Sequence, residues 1–133
     1  MKTIDILKDK LKYAYSPYSN VKVAALAVTE DNQEYYGVNC ENAAFPSGLC
    51  AERSALFGSV ANGAKVGSFK EIHVISNLNH VLFPCGACLQ VIAQFLKPDG
   101  LVYLYDNELK DKRVYTLKDV FPNAIVDSSI KNH

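Results

Sequence analysis

A three-layer α/β domain, a mixed five-stranded sheet with helices on both faces, is the fold this sequence predicts. Three observations carry it. Apolar runs of strand length recur at residues 21–29, 71–76 and 101–106. Segments of helical length, 50–61 and 85–97, fall between them, as strands joined by crossover helices would. A turn signal, EDNQ at 30–33, joins the first strand to a return strand at 34–40, so part of the sheet is antiparallel.

Each element has its own local reason. Residues 3–15 place Ile4, Leu7, Leu11 and Ala14 at helical spacing, and Ser16-Pro17 stops that helix. VKVAALAVT (21–29) is β-branched and apolar, a buried strand; EYYGVNC (34–40) pairs back on it. ENAAFPSG (41–48) is a loop. The helix over 50–61 ends at Asn62-Gly63, the usual chemistry of a helix C-terminus. EIHVIS (71–76) is a strand and NLNHVLF (77–83) a loop. Pro84 opens the next helix, and Lys97-Pro98 ends it. LVYLYD (101–106) and KRVYT (112–116) are strands, with a short helical turn at LKDVF (117–121).

Composition excludes several classes. The chain of 133 residues has 14 basic and 14 acidic side chains and no net charge. Bulk attraction to a nucleic acid polymer or an anionic membrane is therefore not expected. Hydrophobic residues make up 49% of the chain, enough for a core. No apolar run approaches the ~18 residues of a membrane span. MKTIDILKDKLKYAY mixes charge into its apolar positions and does not read as a signal peptide. The four cysteines then point to a reducing, cytoplasmic setting where clustered thiols bind metal or do chemistry. One domain over residues 1–133 is expected.

The thiols fall at helix starts. Cys85 and Cys88, three apart, share one face of a first turn, and Cys50 opens the other central helix. Unpaired N–H groups and the helix dipole favour thiolate there. Three convergent thiolates are a zinc site. A closed structural site takes a fourth protein ligand; a catalytic one keeps a position open for water. Glu52, two residues after Cys50, is the acid that such a water needs nearby, able to move protons without binding metal. Arg53 follows it, where the helix dipole disfavours a cation. Three thiolates on Zn²⁺ sum to −1, a poor Lewis acid, and a guanidinium beside the sulfurs offsets that charge.

Four blocks, SPYS (16–19), NCENAAF (39–45), CAERSALF (50–57) and PCGACLQVI (84–92), resemble in order and spacing the small homotetrameric zinc-dependent cytidine deaminases. The resemblance covers essentially the whole chain. It implies one zinc per chain on Cys50, Cys85 and Cys88, and Glu52 as the proton shuttle in hydrolysis of cytidine or 2′-deoxycytidine, in pyrimidine salvage. It supports the charge-offsetting role of Arg53. It also implies that Asn39 and Glu41 hold the ribose hydroxyls and that the backbone of Ala51 holds the pyrimidine. Three residues depart from the family pattern at substrate-facing positions. Val21 stands where an aromatic is common, Phe45 where a tyrosine is common, and Ile125 where an aromatic from a neighbouring subunit covers the base. Stacking on a base contributes on the order of 1–3 kcal/mol, so these replacements bear on affinity. Cys40 stands where the family has an aliphatic residue and is expected to be a small buried side chain. His73 and His80 are not expected to bind metal.

A homotetramer with shared sites is expected on two grounds. Ala55, Leu56, Phe57 and Val60 on one helix, and Leu89, Val91, Ile92, Phe95 and Leu96 on the other, are more apolar surface than one sheet face covers. In the resembling family, the loop at 41–48 and the segment around Ile125 reach a neighbour's substrate. Two other functions compete: deamination of a related aminopyrimidine nucleoside such as blasticidin S, and a non-catalytic zinc module closed by Cys40 or His80.

Overall fold

The structure, a computed structural model, describes residues 3–127 and 130; residues 1–2, 128–129 and 131–133 lie outside it. The elements run α1 (Thr3–Asp9), β1 (Val23–Thr29), β2 (Glu34–Val38), α2 (Ala51–Ala61), β3 (Phe69–Ser76), α3 (Gly86–Phe95), β4 (Leu96–Tyr105), β5 (Lys112–Thr116) and α4 (Leu117–Val120). Short 3₁₀ turns occupy Lys10–Tyr13 and Phe45–Ser47. The strands form one sheet in the order β2-β1-β3-β4-β5. Only β3 and β4 are parallel, so the sheet is mixed, as the sequence predicts.

The sheet's two faces are covered unequally. On one, Ala25, Ala27, Ile72, Val74, Val102 and Leu104 meet α2 and α3 through Ala51, Ala55, Leu56, Ile92 and Phe95. On the other, Ala24, Leu26, Val28 and Ile75 meet Leu7, with Ile4 and Leu11 alongside. The period-two alternation of β1 divides it between these cores, which is why a run of six buried residues follows Val23.

Some boundaries move. The first helix is α-helical only to Asp9, then tightens into the 3₁₀ turn, and Ala14 is already extended. The second crossover helix stops at Phe95, because Leu96 pairs with Phe69; the ladder then skips to Leu101 opposite Glu71, leaving Lys97-Pro98-Asp99-Gly100 as an irregularity. Proline cannot donate to a ladder, which accounts for the break.

His73 is no ligand for the thiol cluster. It lies on the α1 side of the sheet, with Nδ1 2.8 Å from the Tyr105 hydroxyl and Nε2 3.1 Å from Glu71 Oε1. Its ring stacks on Tyr103 at 4.4 Å. Burial holds its pKa below the usual value, against the opposing pull of Glu71.

One contact sets where α2 starts. A Cβ on Gly37 of β2 would press into the backbone N of Ala55 and lie 2.6 Å from the backbone O of Ala51. The helix backbone thus rests directly on the strand, with no side chain between. Gly37→Ala is expected to cost about 1–3 kcal/mol by overpacking and to lower zinc occupancy by displacing the first turn of α2. Urea denaturation and metal content of the variant check both.

Candidate zinc and nucleoside site

Two helix N-termini build the centre. Cys50 caps α2 and Cys85 caps α3, each with extended φ/ψ (−73°, 156° and −70°, 166°) and no side-chain cap bond. Both sulfurs are therefore free of capping duty. Cys88 lies in the first turn of α3, three residues after Cys85, fully buried. The Sγ atoms of Cys50, Cys85 and Cys88 lie within 4.8 Å of one another. No fourth His, Cys, Asp or Glu joins them among the described residues. All four cysteines are free thiols.

The donor set fits zinc. A hydrogen bond from Cys88 and the Arg53 guanidinium beside it hold the Cys50 thiol down at about 5. The same shared proton, with burial, pushes Cys88 up. A cluster that already carries one thiolate and crowds two further sulfurs against it is relieved by a divalent cation. Arg53 Nη2 donates to Cys50 Sγ at 3.4 Å, so the guanidinium lies beside a sulfur of the cluster. Glu52 is buried, 4% exposed; burial, and then the neighbouring Cys50 sulfur, push its carboxyl up to about 7.

A cleft of about 480 Å³ opens beside the cluster. It brings together Asn39, Glu41, Phe45, Cys50 and Arg53, with Tyr18, Ser19, Asn42, Gly48 and Leu49. Backbone pairing explains the arrangement. Cys40 N–H bonds to Leu49 O at 3.0 Å and Leu49 N–H to Cys40 O at 2.9 Å, closing the loop just before Cys50. Tyr15 N–H reaches Asn39 O at 3.0 Å, and Glu41 N–H reaches Tyr15 O at 2.8 Å. Residues 39–41 are thus held between Tyr15 and Leu49, one hydrogen-bonded step from the metal ligand.

Several predicted residues sit differently from expectation. Asn39 spends its amide on the backbone: Oδ1 accepts Val23 N–H and Nδ2 donates to Val21 O, both at 2.8 Å. Cys40 is exposed, not buried, because its backbone, not its side chain, makes the contacts. Val21, Ala51, Glu52 and Ile125 are outside the cleft wall. Ile125 is 57% exposed, and its peptide is held by Gln90 of α3, whose Nε2 donates to Ile125 O at 2.7 Å. Phe45 is 73% exposed, its ring edge-on to Tyr18 at 5.6 Å. The apolar helix surface is smaller than expected: Ala55, Leu56, Ile92, Phe95 and Leu96 are buried and Leu89 and Val91 half-buried, leaving Phe57 and Val60 exposed. Ser19, which sequence reasoning missed, touches Glu41 across 22 residues; its only signal is its place in SPYS.

A sheet flanked by helices, with three thiols and a buried glutamate at two helix starts, defines a zinc-dependent deaminase class. Residues 2–104 match the cytidine and deoxycytidylate deaminase zinc-binding region. The cytidine deaminase of Sporosarcina psychrophila is 39% identical over 117 residues, 88% of this chain and 84% of that protein. That of Mycoplasma genitalium is 33% identical over 118 residues, 89% and 88% of the two chains. The crystal structure of cytidine deaminase from Burkholderia pseudomallei superposes with a TM-score of 0.85 at 39% identity, over 94% of this chain and all of that one. The Mycobacterium tuberculosis enzyme gives 0.73 at 26%, over 95% and 99%. The chain belongs to the cytidine and deoxycytidylate deaminase zinc-binding family.

Metal analysis of the reduced protein is expected to return about one zinc per chain. Cys88→Ala should lose it and Cys40→Ala should keep it. Zinc loss from the Cys40 variant would mean a closed, four-ligand site.

Proposed function

We propose that this protein hydrolyses cytidine and 2′-deoxycytidine to uridine and 2′-deoxyuridine, releasing ammonia. The observation that carries the reading is the buried Glu52 carboxyl in the first turn of the helix that Cys50 caps, beside three converging thiols. The family and the cytidine deaminases it resembles over most of its length support the substrate. Residues 1–133 are read as one deaminase-like domain.

Cys50, Cys85 and Cys88 would hold zinc, whose Lewis acidity would make water a nucleophile near neutral pH. Glu52 takes the proton released as water adds to C4 of the base and gives it to ring N3. It then carries the proton of the new C4 hydroxyl to the amino group, and ammonia leaves as the C4–N bond breaks and the C4 carbonyl forms. Arg53 draws charge from the sulfurs. Asn39 and Glu41 line the cleft where the sugar hydroxyls bind, the backbone at Ala51 holds the pyrimidine, and Val21, Phe45 and Ile125 border the base.

The competing zinc-module reading needs a fourth protein ligand. His80 directs Nδ1 to Val81 O at 3.1 Å, and neither it nor Cys40 is in the thiol group. Blasticidin S deamination has no observation in its favour here. No helix among the described residues is long and apolar enough to cross a membrane; a cytoplasmic role in pyrimidine salvage fits the free thiols.

The active assembly is a homotetramer with shared sites. Exposed Phe45 on the cleft loop, Ile125 outside its own chain's cleft, and Phe57 and Val60 on α2 support it.

Ultraviolet absorbance of cytidine is expected to fall on mixing with the zinc-loaded protein and to stay constant after chelation. Glu52→Gln should keep zinc while turnover drops by more than the roughly 10²–10⁴-fold of one proton transfer. Near-normal turnover would place the proton shuttle elsewhere. For shared sites, Glu52→Gln and Phe45→Asp, each inactive alone, should regain activity when co-expressed as one oligomer. No recovery from an intact mixed oligomer would place each site within one chain.

A further inference from the structure

The cleft's sugar side is organised by a hydroxyl that no substrate reading requires. Glu41 receives three donors from two consecutive residues. Tyr18 N–H and Ser19 N–H donate to Oε1 at 2.9 and 3.1 Å, and the Ser19 hydroxyl donates to Oε2. The same Ser19 oxygen accepts Val21 N–H at 3.0 Å. Val21 O in turn accepts from Asn39 Nδ2. One residue thus connects the two side chains assigned to the sugar: Val21 N–H donates to the Ser19 hydroxyl that holds Glu41, and Val21 C=O accepts from Asn39.

We propose that Ser19 is a positioning residue for nucleoside binding, locking the Glu41 carboxylate in the cleft wall by tying it to the Val21 backbone just outside that wall. The proposal rests on reading this cleft as the nucleoside site. A free glutamate at a cleft rim samples many rotamers, and a sugar hydroxyl that binds it must stop that motion. Hydrogen bonds made before the ligand arrives remove that ordering cost. Both carboxylate oxygens are oriented: Oε1 accepts two of these bonds, and Oε2, which accepts one, keeps a lone pair for a ligand hydroxyl. The Ser19 hydroxyl bond, reinforced by the two N–H groups, holds the Glu41 carboxyl below its ordinary pKa, so the acceptor is ionised across the neutral range. Ser19 touches neither the thiols nor Glu52, so its effect belongs to binding and not to proton transfer at the ring.

The signature is selective. Ser19→Ala removes the hydroxyl donor to Oε2 and the acceptor for Val21 N–H. KM for cytidine is expected to rise about 5- to 20-fold, the low end of one hydrogen bond to a charged group because the two N–H donors to Oε1 remain, with kcat within about twofold. The same variant is compared on 2′,3′-dideoxycytidine, which lacks the 2′- and 3′-hydroxyls that Glu41 would bind; there KM should change by less than about twofold relative to wild type. Ser19→Thr keeps the hydroxyl at an exposed position and should restore KM for cytidine. Zinc content of each variant reports whether the fold is intact. An unchanged KM for cytidine in Ser19→Ala overturns the proposal. So does an equal rise on both substrates, or a fall in kcat alone, since either would mean a general structural role. Wild-type protein inactive on cytidine would overturn the nucleoside reading itself, and this inference with it.

Discussion

Two helices must begin at the same place for this site to exist. α2 and α3 arrive from different crossovers, and their first turns converge on one side of the sheet with cysteine at both caps. Each first turn presents unpaired N–H groups and the positive end of a helix dipole. Of the sulfurs gathered there, Cys50 is the one held as a more acidic thiol, and all three lie within reach of one divalent cation. The convergence is enforced by backbone packing: α2 lies so close to β2 that only a glycine fits at position 37. Displacement of that helix would carry Cys50, Glu52 and Arg53 with it, since all three occupy its cap and first turn.

Charge around the cluster is balanced by proximity, not by composition. Arg53 sits at a helix start, where a cation is disfavoured, and its Nε is buried without a hydrogen-bond partner. That cost is offset by the contact of Nη2 with Cys50. Glu52, one residue earlier on the same turn, is buried. Adjacent residues of opposite sign thus meet different surroundings, because successive helical positions point about 100° apart.

The cleft wall obeys another rule. Its residues are mostly half-buried or exposed, so hydrophobic packing orders them little. Hydrogen bonds do so instead: Cys40 with Leu49, Tyr15 with Asn39 and Glu41, and the side chains of Asn39, Glu41 and Ser19 with the segment before β1. Phe45 projects from this frame into solvent, and the proposed assembly is what would cover it.

The sequence alone determined the element order, the mixed sheet and the thiol set. Apolar periodicity, turn residues and a three-residue cysteine spacing are local signals, and local signals survive without coordinates. It also identified Glu52 and Arg53, whose place follows from the helix that Cys50 caps. What the tertiary structure decided was every relation across the chain. Leu96 leaves its helix because Phe69 offers a ladder partner. Cys40 is exposed because pairing with Tyr15 and Leu49 uses its backbone and turns its side chain outward. Asn39 and Glu41 are joined to Val21 and Ser19 by contacts spanning about twenty residues. No pattern in the order of residues encodes such contacts, because they exist only when strands and loops have closed on one another.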